Sequence, residues 1–200
     1  MAKIFLILDL QNDLCHPEGI YARHGLTPSH VPSIIPNVVE AVQFCQKYQI
    51  PIIATQLTVL VDKEGKVMGL PTTLKRRPFL EKEGFREGTW GYDLLEEIPK
   101  IDYKIRKWGL SSFHQTELDH YLRALGCTEI ILAGFTTNSS VETAAREAAG
   151  RELGITTLTD CVASYSESLH HASLTNLGAF GKILSSKEWM ENNIPSADQA

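Results

Sequence analysis

Cysteine is scarce in this 200-residue sequence, and its four copies, Cys15, Cys45, Cys127 and Cys161, are scattered with no C-x-x-C pair. Neither a zinc ribbon nor a redox dithiol is legible, and the thiols read as reduced and inert. There is no surplus of positive charge: 19 Lys+Arg stand against 24 Asp+Glu, a formal net charge of -5. A chain so charged lacks the means to neutralise a phosphate backbone or grip anionic lipid, which excludes nucleic acid and a membrane surface as expected partners. No apolar run is long enough to span a bilayer, and the amino-terminal segment holds Asp9 and no cleavage site, so a cytoplasmic protein is expected. Repeats, low-complexity tracts and interdomain linkers are missing too. What is present is 43% hydrophobic and 22% charged residues, the balance of a soluble globular chain. The length fits one α/β domain over residues 1–200, large enough to bury a core without disulfides or a structural metal.

Short aliphatic and β-branched runs at 4–9, 50–55, 102–106, 129–133, 155–159 and, more weakly, 181–184 predict strands. Stretches at 34–48, 116–125, 140–152 and 167–177 place apolar residues at three-and-four spacing and predict helices between them. Gly126 and Gly154 sit where helix C-caps favour φ > 0. Strands that have lost polar alternation are buried on both faces, so the expectation is a doubly wound, Rossmann-like, mostly parallel six-stranded sheet in the order 3-2-1-4-5-6, with helices on both faces. The segment 57–91 breaks this rhythm with glycines, prolines and charges and no clear strand. A long insertion of this kind reads as a lid, a pocket wall or an oligomer contact. The tail 193–200 reads as a frayed end.

In such a sheet ligands bind beyond the carboxyl ends of the strands, near the reversal of strand order. The first strand ends in Leu8-Asp9-Leu10-Gln11-Asn12-Asp13, which places Asp9 where a carboxylate suits proton transfer; the plainer reading is a cap on the following turn. After the third strand, Lys104-Ile105-Arg106-Lys107-Trp108-Gly109-Leu110-Ser111-Ser112-Phe113 brings cations and two aromatics to the same edge, although such a run is also what a solvated basic turn looks like. The fourth strand leads through Gly134-Phe135-Thr136-Thr137-Asn138-Ser139 into a helix beginning at Ser140. Free backbone N–H groups and a helix dipole there would favour a developing anion, while Ser or Thr before a helix is equally an N-cap.

Together these segments, with a looser match in Arg86-Glu87-Gly88-Thr89-Trp90-Gly91, resemble the isochorismatase-like hydrolases, the cysteine hydrolase family that includes nicotinamidases, N-carbamoylsarcosine amidohydrolase and ureidoacrylate and biuret hydrolases. The likeness covers nearly the whole chain. It implies Asp9 as general base and then acid, Lys107 as the cation that steadies it and the substrate, and a nucleophile at position 140. It also implies a cis peptide between Phe135 and Thr136, aiming the Thr136 N–H, with that of Ser140, at one oxyanion. The family's residue at position 140 is usually Cys, whereas this chain has Ser140. The matched motifs offer Ser140 no histidine as base; His16 and His114 lie close enough in sequence to be pocket walls. Three readings stand: an inactivating Cys-to-Ser substitution in an amidohydrolase that cleaves a small amide, ureide or carbamoyl compound with ammonia release; an isochorismatase-type vinyl-ether hydrolase using Asp9 without a nucleophile; and a non-catalytic paralogue.

Nicotinamidases of this family hold a divalent metal through an Asp-x-His pattern soon after the second strand. Here that place reads Ala54-Thr55-Gln56-Leu57-Thr58-Val59, with no carboxylate or imidazole, so no metal and no cofactor is expected. Gln56 reads either as an amide that hydrogen-bonds the substrate or as a surface residue closing the strand. Arg76 or Arg77 could clamp a carboxylate, and Trp90, Trp108 and Phe113 could wall the pocket. The branch closest in wording around Trp90 is that of the ureidoacrylate and biuret hydrolases. From the family and the long insertion, a homo-oligomer, dimer or tetramer, is expected.

Overall fold

The computed structural model describes residues 2–28 and 30–194. Six strands, β1 (Ala2–Leu8), β2 (Ile52–Leu57), β3 (Tyr103–Lys107), β4 (Cys127–Phe135), β5 (Gly154–Ala163) and β6 (Lys182–Leu184), form one sheet in the order β3-β2-β1-β4-β5-β6. Every pairing is parallel, so the expected doubly wound architecture and strand order are both observed.

The central strand shows why. Phe5 and Ile7 of β1 point to one face, where they join Val38, Ala41 and Val42 of α3 (Val31–Lys47) and Trp189 of α8 (Ser186–Glu191). Ile4, Leu6 and Leu8 point to the other, against Leu118 and Leu122 of α5 (Leu118–Ala124), Ala144, Ala145 and Ala148 of α6 (Glu142–Ala149), and Leu177 of α7 (Glu167–Leu177). A strand with apolar residues on both faces has no polar alternation left to read, and only helices on both sides can cover it.

Short helices fill the rest: α1 (Asn12–Cys15), α2 (Ile20–Arg23) and α4 (Pro71–Arg76). These lie outside the sequence expectation, as does α8, although α8 carries a capping box in which Ser185 and Glu188 bond each other's backbone N–H. Gly126 does take φ +63, but the left-handed residue before β5 is Glu152 at φ 57, and Gly154 opens the strand instead. Of the expected tail, residues 195–200 lie outside the described ones, and Asn193 is tied down by bonding to the Trp189 carbonyl.

Register carries the sheet's central end to the site. Leu8, the last residue of β1, lies between Thr55 of β2 and Gly134 of β4. Gly134 has φ +115, and a Cβ there would lie 2.2 Å from the Leu8 carbonyl oxygen. Gly134→Ala therefore forces β1 and β4 apart while straining the backbone, and we expect a loss of at least ~2 kcal/mol of stability. Urea unfolding midpoints of the two chains check this; equal midpoints would contradict the close-approach argument.

Candidate active site

Where β1 ends, Asp9 turns the chain with φ 53, and its carbonyl accepts from the Gln11 N–H at 2.8 Å. Its carboxylate is 2% exposed and fully engaged. Oδ1 accepts from the Thr55 hydroxyl at 2.7 Å. Oδ2 accepts from the Ser140 hydroxyl at 2.7 Å and lies 2.6 Å from Lys107 Nζ. Lys107, at the end of β3, is 1% exposed; its ammonium also donates to Ser140 Oγ at 2.9 Å and to the Leu110 carbonyl at 3.2 Å. Its three hydrogens thus have three acceptors. A buried ion pair is tolerated when its remaining donors and acceptors are satisfied in this way.

Ser140 does not begin an ordinary α-helix as the sequence suggested. It sits in a π-helical turn, Thr137–Val141, which leads into α6. The Phe135–Thr136 peptide before that turn is cis. The Thr136 carbonyl accepts from the N–H groups of Ser139 and Val141, at 3.1 and 3.2 Å. Two side-chain bonds brace the turn: Thr137 Oγ1 with His170 Nδ1 at 2.9 Å, and Ser164 Oγ to Asn138 Oδ1 at 2.6 Å. Burial, with His171 and His30 nearby, lowers the His170 pKa, which favours the neutral ring at that bond.

The triangle of Asp9, Lys107 and Ser140 lies at a cavity of about 440 Å³. Asp9, Thr136 and Ser140 line its inner end, Trp108 and Leu110 flank it, and the 57–91 segment contributes Val59, Leu70, Thr73, Arg76, Arg77 and Leu80. The insertion is thus a pocket wall. Arg77 and Trp108 both line this cavity.

Three expected substrate contacts do not. Gln56 is neither on the cavity nor at the surface: it is buried, and its amide donates to the Tyr92 carbonyl at 2.9 Å, closing a loop. Trp90 is 51% exposed and packs edge-on against His16, away from the cavity. Phe113 is a core residue beside Leu118 and Leu122, capped by the Arg151 guanidinium 4.1 Å from its ring. Neither His16 nor His114 lines the cavity.

The polar residues after Asp9 anchor the insertion, a role their sequence alone does not assign. Gln11 bonds the backbone of Leu57 in both directions and the Tyr92 carbonyl. Asn12 donates to the Trp90 carbonyl, and the Asp13 carboxylate accepts from Phe85 N–H at 2.6 Å. Gly91 is required beside it, since a Cβ there would fall 2.2 Å from Asp13 Oδ1. One more group lies close to Asp9: the buried Cys15 thiol, 3.6 Å from the Asp9 carbonyl. Burial, and then the charge of Asp9, push its pKa well up, so it is a neutral thiol outside the cavity and no substitute nucleophile. Among the described residues, no three His, Cys, Asp or Glu side chains form a group able to hold a metal ion, and no helix is long and apolar enough to cross a membrane.

Comparison with known proteins adds to this geometry. The Isochorismatase domain model matches residues 3–188. A ureidoacrylate amidohydrolase of Methylobacterium radiotolerans is 30% identical over 194 residues, covering 90% of this chain and 74% of its own length. A "probable inactive nicotinamidase" of Arabidopsis thaliana is 27% identical, covering 93% of each. Among solved structures, a cysteine hydrolase from Pseudomonas syringae superposes with a TM-score of 0.83 at 22% identity, over 94% of this chain and 91% of that one. An isochorismatase-like hydrolase from Alkaliphilus metalliredigens gives 0.78 at 24% identity, over 96% and 99%.

Proposed function

The chain belongs to the isochorismatase family, and from that premise we propose that its site is built to hydrolyse a C–N bond of a small amide, ureide or carbamoyl compound with release of ammonia, Ser140 occupying the nucleophile's place. The observation that carries this reading is the closed triangle of Asp9, Lys107 and Ser140, with contacts of 2.6, 2.7 and 2.9 Å, at the inner end of the cavity.

The chemistry follows from who donates to whom. The Ser140 hydroxyl already points its proton at Asp9 Oδ2, the direction in which it leaves as Oγ attacks the substrate carbonyl. Lys107 stabilises the negative charge that builds on Oγ and keeps Asp9 in place. The oxyanion of the tetrahedral intermediate is received by the backbone N–H groups of Thr136 and Ser140. Asp9 hands its proton to the departing nitrogen as the C–N bond breaks, then takes one from the water that attacks the acyl-enzyme and returns it to Ser140 Oγ as the acyl–oxygen bond breaks. Arg77 and Trp108 bound the space for the rest of the substrate. A serine hydroxyl is far less acidic than a thiol and normally relies on an imidazole, so turnover is much reduced relative to a chain with a cysteine in this place.

The contact between Asp9 and a nucleophilic hydroxyl favours this reading over vinyl-ether hydrolysis, in which Asp9 protonates the substrate and Ser140 is idle. The rival draws on a cavity wall that, among the described residues, places no imidazole beside Ser140; it predicts pyruvate release from isochorismate that is indifferent to Ser140→Ala. The deciding experiment is ammonia release from a panel of ureides, carbamoyl amino acids and simple amides, with this chain and with Ser140→Cys. Release by the thiol form from at least one compound is expected, and silence from both forms across the panel overturns the proposal.

A further inference from the structure

The turn that presents Ser140 is held from outside the substrate cavity. Thr137 opens it, directly after the cis Phe135–Thr136 pair, and is fully buried. Its hydroxyl has one hydrogen-bond partner among the described residues, Nδ1 of His170 at 2.9 Å. His170 belongs to α7 and does not line the substrate cavity. It lines a second one, of about 280 Å³, together with His30, Asn37, Asp160, Glu167 and His171. Ser164 borders both cavities and bonds the next residue of the turn, Asn138, at 2.6 Å. π turns are rare and occur as single turns, often at functional sites. Released, this one is free to tighten to α spacing, which swings Ser140 round the helix axis and out of its contacts of 2.7 and 2.9 Å with Asp9 and Lys107.

The direction of the His170 bond follows from burial. A buried O–H with one acceptor in reach donates to it, so Nδ1 accepts and the ring carries its proton on Nε2. A second proton on the ring makes Nδ1 a donor. Thr137 Oγ1 can then accept only by turning its own proton toward a place with no acceptor among the described residues, and the bond ceases to hold the turn. The surroundings set which form of the ring prevails. Burial lowers the His170 pKa, His171 and His30 lower it further, and Glu167 opposes them. On the neighbouring elements, the Asp160 carboxylate of β5 is taken by the Ser186 N–H and hydroxyl, and Glu142 of α6 by Ser173 and Arg146. The neutral ring therefore prevails at neutral pH and is lost only below the ordinary histidine value of 6.5.

We infer that His170 is a positioning residue for the reaction: its neutral ring, accepting from the Thr137 hydroxyl, holds the turn Thr137–Val141 in the form that sets Ser140 between Asp9 and Lys107, and a proton on that ring releases it. The ring touches neither substrate nor reacting atoms and acts through Thr137 alone. The inference rests on position 140 as the reacting place, the premise of the C–N reading, but not on the identity of the substrate. It gives the second cavity a task as well, since that cavity is where protons reach the ring.

The test is the rate at which iodoacetamide alkylates position 140 in the Ser140→Cys form, read by tandem mass spectrometry so that this sulfur is separated from the native thiols, Cys127 included. At about pH 7.5, adding His170→Ala should slow the alkylation roughly 10-fold, the factor for a buried hydrogen bond lost from one side. His170→Asn, whose amide oxygen stands in for Nδ1 and does not titrate, should restore most of the rate. Thr137→Val should cost the same factor, and combined with His170→Ala no more than either alone. Below about pH 6.5 the His170 chain should fall behind the His170→Asn chain, toward roughly 10-fold, and dividing the two rates cancels the titration of the new thiol itself. Thermal melts establish that each variant is folded, and a role confined to stability would lower the melting temperature while leaving alkylation of the folded protein unchanged. If His170→Ala is unfolded, Thr137→Val and the ratio to His170→Asn decide. Equal alkylation with and without the His170 ring, no recovery in His170→Asn, additive losses in the double variant, or a ratio that does not move with pH overturns the inference. Slower alkylation in His170→Ala from a Ser140→Cys form that releases no ammonia would leave the brace standing and remove the C–N chemistry. Ammonia release that His170→Ala does not slow would do the reverse.

Discussion

Ser140→Cys is expected to raise ammonia release by roughly 10³- to 10⁶-fold on the compound that fits the cavity, the range seen when an activated nucleophile is lost or restored. The geometry is already in place for a thiol. Ser140 Oγ stands between Asp9 Oδ2 and Lys107 Nζ, at 2.7 and 2.9 Å, and sulfur in that position would be beside a base and a cation at once. The cation matters most: an ammonium in contact with a cysteine favours the thiolate, whereas a serine alkoxide lies too far up the acidity scale for the same contact to populate it. The substitution changes the radius of one atom at a site that faces a cavity, so the turn Thr137–Val141 has room to accept it. A steady-state ammonia assay across the panel reads the effect directly. If the unsubstituted chain and Ser140→Cys turn over at the same rate, position 140 is not the nucleophile. A fall in KM with unchanged kcat would show that the residue only binds substrate.

How much of this was legible in the sequence depends on what each residue answers to. The strands and their order were readable because the central ones are apolar on both faces and alternate with helical periods, and β1 between β2 and β4 is the arrangement that puts Asp9 at the reversal point. Strand ends and parallel register bring the segments that hold Asp9, Lys107 and Ser140 to one edge of the sheet, but it was the resemblance to the isochorismatase-like hydrolases that singled out these three residues within them. Side chains whose partners come from the loops obey no such rule. Gln56 is one position short of the end of β2, and whether its amide meets a ligand or a backbone carbonyl depends on where Tyr92 lies, 36 residues away in sequence. Trp90 and Phe113 failed for the same reason, since an aromatic has no periodic signal that separates core from pocket wall. The π-helical turn was hidden as well. The pattern of Ser, Val, Glu and Ala from 140 onward has a helical period whether or not its first turn is widened, and only the braces from His170 and Ser164 reveal the shape. One signal was available and unread. Gln11, Asn12 and Asp13, three polar residues following a fully apolar strand, have side chains that must find partners if buried, and all three find them in or just beyond the insertion.

Asp9→Asn is expected to abolish turnover, by about 10³-fold or more, in the Ser140 chain and in Ser140→Cys alike. An asparagine keeps the shape and cannot take a proton, so the hydroxyl or thiol loses its base and the leaving nitrogen loses its acid. The same change removes the anion from a buried pair. Lys107 would then hold an uncompensated charge at 1% exposure, and breaking a buried pair from one side costs about 3–5 kcal/mol of stability. Activity and stability would therefore fall together, and a structural explanation must be separated from a chemical one. Lys107→Met in the Asp9→Asn background does so: it removes the stranded charge and should return much of the lost stability, measured by urea unfolding, while ammonia release stays at background. If that double variant regains both, Asp9 acts through folding alone. If it regains stability and not turnover, the loss belongs to the chemistry of the Asp9–Lys107 pair and not to folding. The vinyl-ether rival needs Asp9 too, so it survives this experiment and is separated from the C–N reading by Ser140→Ala, which silences ammonia release on one reading and leaves pyruvate release untouched on the other.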